Sequence, residues 1–228
     1  MANTFRLDER LDERLDGRLD ERLDERHAAR LDECVVAAAR RGDLVALQRA
    51  RAANAIAAGH WPADILTAAA AGGSLAVVKW LVAAGCMWGA FTTEAAAENG
   101  HLAIVKWAYW AGGPLSADIF AAAAGGGHLE IIRWLRAVYC PWDEAAPTAA
   151  ALGGHLEVLQ WLRAAGCPWG AAACEAAAEG GHLAVLQWLR DNGCPWDEQT
   201  CEVARALGRH DVLRWATENG CLTDTPMR

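Results

Sequence analysis

Trp80, Trp107, Trp134, Trp161, Trp188 and Trp215 recur every 27 residues without a slip. A second column runs through Trp61, Trp88, Trp142, Trp169 and Trp196 at the same interval, with Leu115 standing in once. No insertion interrupts the period between Pro62 and Thr223. A self-similar unit of this length cannot bury its apolar face alone, so it stacks on copies of itself, and the chain is constrained to a solenoid.

The unit divides into three parts. "AAACEAAAEGG" and its equivalents are Ala-rich, of high helix propensity, and closed by Gly. After a "GH" turn, "LEVLQWLRAAG" places Leu156, Val158, Leu159, Trp161 and Leu162 on one helical stripe, with Glu157, Gln160 and Arg163 facing out. Gly85, Gly112, Gly166, Gly193 and Gly220 fall where a left-handed C-terminal cap is expected, before short "CPWD" or "CPWG" connectors. An irregular unit precedes Pro62, and the last one reads "GRHDVLRWA". Atypical ends are expected of a stack, because each end must present a face to water. The expected fold is an all-α helical solenoid of about seven stacked helix-turn-helix units.

Arg6 to Glu33 follow a different rule, a four-residue "RLDE" repeat. Its period of 4.0 drifts about 40° per step on a helix and forms no straight apolar seam. Residues 1–33 are therefore expected to be a low-complexity tail, disordered or marginally helical, with the solenoid over 34–223 and a short C-terminal tail over 224–228.

The formal charge of -8, with no Lys/Arg-rich stretch, argues against nucleic acid as a partner. The longest uncharged run, Ile65 to Val78, is too short to span a membrane, and "MANTFRLDER" lacks the apolar core of a secretory signal. A soluble cytoplasmic chain with reduced cysteines is expected.

"GHLEV", "WL" and "AAG", followed by a connector, resemble the ankyrin repeat over Leu31 to Thr223. The ankyrin "TPLH" signature is missing, its places reading "AAPT", "AACE" and "QTCE". The unit is also six residues shorter than the usual 33. The residues missing are those of the projecting β-hairpin, so the resemblance implies ankyrin-like units without long β-hairpin fingers. Such Trp-rich, shortened units are similar to those of ankyrin-type proteins from giant DNA viruses of amoebae, which would place the chain in a host-cell cytoplasm. The resemblance implies a protein-protein interaction scaffold, probing its partner with first helices, connectors or the outer face of second helices, with no catalysis and no cofactor.

His101, His128, His155 and His182 share one repeat position, a helix pair apart, which is too far for one metal ion. They are expected to bond nearby backbone in the turn. The same spacing opposes disulfides between rungs of the column Cys86, Cys140, Cys167, Cys194 and Cys221, which are expected to be small apolar fillers. Both Trp columns are expected in the core. The residues that break the pattern gather in two units: Tyr109 and Trp110 on a second helix, Phe91 and Phe120 on first helices, near Asp64, Glu94, Glu98 and Asp118. They are either a contact patch or a repacking around Gly113 and Pro114. A monomeric scaffold for a protein partner is the leading expectation. The others are a structural protein self-assembling through the tail, an enzyme with a thiol site, and a chain left without function by repeat expansion.

Overall fold

The computed structural model describes residues 30–52 and 61–221. Among these, fourteen helices follow one another as seven antiparallel pairs, with no strand. The pairs are α1 (30–40) with α2 (Leu44–Ala52), α3 (Ile65–Ala71) with α4 (Leu75–Ala83), α5 (Ala90–Glu98) with α6 (Leu102–Trp110), and α7 (Ala117–Gly125) with α8 (Leu129–Ala137). They continue with α9 (Ala145–Leu152) and α10 (Leu156–Ala164), α11 (Ala171–Gly180) and α12 (Leu183–Asp191), and α13 (Glu198–Ala206) and α14 (His210–Glu218). Of the expected tail 1–33, residues 30–33 belong to α1, and the rest lies outside the described residues, as does 224–228.

Small side chains set the packing of the first helices. Ala69, Ala97, Ala124, Ala151 and Ala178 are fully buried, and neighbouring first helices lie close enough that a Cβ added at Gly125 would touch that of Ala149 at 3.4 Å. The second helices bury branched residues against their own first helix, as Val158, Leu159 and Leu162 do, and touch one another only sparsely. Close first helices and spaced second helices curve the stack, with the first helices inside.

Five of the second helices stop at the expected glycine. Gly85, Gly112, Gly166, Gly193 and Gly220 have φ between +77° and +94°, and the next backbone N–H returns to a carbonyl five residues back, as from Cys167 to Leu162 at 3.0 Å. The α8 unit uses Tyr139 instead, at φ +59°. From α4 onward six or seven residues, such as Ala84 to Gly89, suffice to reach the next first helix, so no finger projects there.

Candidate functional site

Two joints hold successive units together. The first is built on "GGH". His101, His128, His155 and His182 each place Nε2 at 2.8–3.0 Å from a carbonyl of the preceding unit, those of Ala71, Glu98, Gly125 and Leu152, all thirty residues back in sequence. The histidines thus bond backbone, but across the unit boundary rather than within the turn. Glycine makes room where two of them precede the turn: a Cβ on Gly127 would lie 2.6 Å from the ring of His155, and one on Gly126 would collide with the Glu98 carbonyl oxygen. In the last unit Arg209 takes over, donating from Nε to the Glu179 carbonyl at 3.0 Å, again thirty residues back.

The second joint is aromatic. Four connector Trp pack edge-on against the second-helix Trp of the next unit, Trp61–Trp80, Trp142–Trp161, Trp169–Trp188 and Trp196–Trp215 at centroid separations of 5.6–6.3 Å, and Trp88 meets Trp107 in a tilted arrangement at 5.3 Å. Arg136, Arg163 and Arg190 cover the connector rings of Trp142, Trp169 and Trp196 at 4.1–4.3 Å. The Trp columns are therefore half-buried and lie between units, where the sequence had suggested the core; an indole flanked by Arg and a second indole keeps one edge in water.

The pattern-breaking residues separate under this geometry. Where Leu115 replaces a connector Trp, Tyr109 replaces the Arg and reaches Trp134 itself, at 5.6 Å. Tyr109 is thus part of a repacked joint, and Trp110, 76% exposed, meets it edge-on at 5.1 Å. Phe120, read from the sequence as part of either a contact patch or a repacking, is fully buried against Trp142 at 5.4 Å and so is no part of a contact surface. Its repeat position faces inward in the other units too, where Leu66, Thr93, Pro147, Cys174 and Cys201 are also buried. Phe91 is 73% exposed at the start of α5, and Asp64 and Asp118 are exposed on the loops or helices of the inner side.

Glu94 and Glu98 do come together, on the wall of an open groove of about 400 Å³ across α5, α7 and α9. Ala121, Ala122 and Gly125 form its floor, and Leu152, 45% exposed, forms the far wall. Partial burial and the nearby Asp118 raise the Glu94 carboxyl above its ordinary pKa, and burial with Asp197 does the same to Glu175. Acids on this side thus face one another. Among the described residues the ion pair is Arg214–Asp211 at 3.5 Å, on α14.

The cysteine column is buried from Cys140 onward, and the thiols of Cys140 and Cys167 donate to the Ser116 and Asp143 carbonyls at 3.4 Å. One expectation is corrected: Cys201 and Cys221 form a disulfide, with Cα atoms 6.4 Å apart. The bond runs within a unit, from first helix to connector, so the spacing between rungs did not forbid it. No set of three or more His, Cys, Asp and Glu among the described residues could hold a metal ion, and no described helix is long and apolar enough to cross a membrane.

With these joints in place the comparison with solved structures is informative. The human ASB11 ankyrin repeat domain is similar to this chain at 22% identity, over 71% of this chain and 84% of that one, with a TM-score of 0.52. The fold is that of the ankyrin repeat. The pentatricopeptide repeat protein PPR10, in complex with an 18-nt psaJ RNA element, matches at 13% identity over 86% of this chain and 39% of that one. Its TM-score of 0.37 supports no statement about this chain. No family model and no curated protein matches the sequence. From α4 onward this ankyrin-type stack joins its units by short connectors without fingers.

Proposed function

We propose that the chain is a monomeric, non-catalytic scaffold of the cytoplasm that recognises a protein partner on its first-helix face. Charge segregation carries the reading. From Pro62 to Ala204 every Lys and Arg lies on a second helix: Lys79, Lys106, Arg133, Arg136, Arg163 and Arg190. Over the same span the charged residues of the first helices and of the residues leading into them are all acids, among them Asp64, Glu94, Glu98, Asp118, Glu175 and Glu179. Arg205 near the end of α13 and Arg30 and Arg40 of α1 lie outside that span. The groove beside Glu94 and Glu98, with Leu152 on its far wall, offers apolar contact bordered by negative charge. Such a face favours a segment in which Lys or Arg flanks an apolar side chain. Self-assembly through the "RLDE" tail is the other reading, resting on residues outside those described.

The test is capture of partners from cell extract by the full chain and by its Glu94→Lys/Glu98→Lys variant, both checked for helix content. A partner held by the first and bound roughly tenfold or more weakly by the folded second supports the face. A partner held equally by both moves recognition away from the groove. Mass that grows with concentration in the absence of any partner favours assembly.

A further inference from the structure

From Pro62 onward the fifth residue of each unit, on the first helix, is buried, and the position of the cysteine column follows twenty residues later at the connector. The pairs are Thr93 with Gly113, Phe120 with Cys140 and Pro147 with Cys167. Only the last two units place Cys at both positions: Cys174 with Cys194, and Cys201 with Cys221. Both pairs are buried, and the second repeats the first 27 residues later. Cys201 and Cys221 are bonded and share a small cluster with Ala216. In the preceding unit Cys174 and Cys194 are free thiols at the same two repeat positions, and the Cys194 thiol donates to the Gly170 carbonyl at 3.4 Å.

We infer that the last two units form a double cysteine site, in which a low-molecular-weight disulfide such as oxidised glutathione joins Cys174 to Cys194 by the same helix-to-connector bond that joins Cys201 to Cys221. Cys194 lies on the connector and Cys174 inside α11, so Cys194 is the sulfur an oxidant reaches first and the attacking one. Cys194 is flanked by the exposed residues Asn192, Gly193 and Pro195, and opening of this connector admits the oxidant. The Cys194 thiolate attacks one sulfur of oxidised glutathione, forming a mixed disulfide and releasing one glutathione thiolate. Cys174 then loses its proton to solvent and attacks the Cys194 sulfur, releasing the second. Two electrons pass from the protein pair to the glutathione disulfide, which leaves as two thiols.

The bond would fix the connector that carries Trp196. That ring packs on Trp215 of the last unit at 5.8 Å and lies under Arg190 at 4.3 Å. Oxidation therefore ties down the joint on which the C-terminal unit depends, and reduction frees it.

The full chain, equilibrated in reduced or oxidised glutathione, alkylated and digested, is read by peptide mass mapping. The expected map after oxidation links Cys174 to Cys194 and Cys201 to Cys221, with Cys140 and Cys167 alkylated only after unfolding. Cys174 and Cys194 found as free thiols when Cys201 and Cys221 are bonded, or links that cross between units, overturn the inference. Melting supplies a second reading: oxidation raises the midpoint by roughly 5–10 °C, and Cys194→Ser loses part of that rise while keeping the Cys201–Cys221 link. An equal rise in Cys194→Ser also overturns it.

Discussion

Tyr139 adopts φ +59° at a position where Gly85, Gly112, Gly166, Gly193 and Gly220 stand in other units. A side chain at this conformation crowds its own backbone, and at 89% exposure the Tyr139 ring gains little packing in return. Tyr139→Gly is therefore expected to stabilise the fold by about 1 kcal/mol, seen as a higher urea midpoint at unchanged slope. A lower midpoint would show that the ring holds something in place. The cap itself was legible, since five glycines fall at one repeat position. The joint that the turn histidines make was less so. A His at a turn suggests a local bond, and only the stacking of units brings its ring to a carbonyl thirty residues away. Arg209 gave no signal at all, because its length and charge differ from His while its Nε reaches the same place.

At the scale of the element, the connector joint is a set of three side chains: an Arg near the end of one second helix, the Trp of the following connector, and the Trp of the next second helix. Trp161 shows its weight. It is half-buried and packs on Trp142 at 6.3 Å, so Trp161→Ala is expected to cost about 3 kcal/mol, the lower end of the range for a large aromatic. Arg163→Ala removes only the cation over Trp169 and is expected to cost about 0.5–1 kcal/mol. Chemical denaturation of the two variants checks the ratio, and equal costs would mean that the guanidinium, not the indole, closes the joint. The period exposed both Trp columns but not their setting. An apolar stripe reads as core whether it faces its own partner helix or the next unit. Tyr109 was visible as an exception, and its meaning came from Leu115: losing one connector ring let a neighbouring aromatic reach Trp134.

Over the whole molecule, the number of helix pairs and the absence of strands among the described residues followed from the repeat, because each unit has one apolar stripe to bury and only its neighbours to bury it. The charge segregation was equally present in the sequence, yet it acquired meaning only when the helices gained an inner and an outer side. Phe120 marks the limit: its apolar character reads as a break in the pattern, while the column it occupies is buried from unit to unit. Burial along the stack also sets how the fold responds to alkali. The thiols of Cys140 and Cys167, almost wholly enclosed, are pushed up to about 11 by desolvation, as is that of the half-buried Cys86. Unfolding returns them to an ordinary thiol pKa of about 8.5, so the unfolded chain gives up these protons first as pH rises. Their contribution to stability is complete below that value and is lost progressively up to about pH 11, by a few kcal/mol in total for Cys140 and Cys167. The melting temperature is expected to fall over this range, and to fall less steeply in a Cys140→Ala/Cys167→Ala variant, which has the same Lys and Tyr residues but two fewer thiols to ionise. Parallel curves for the two proteins would place the alkaline loss on those other groups, and would mean that the buried column stabilises the stack by filling space alone.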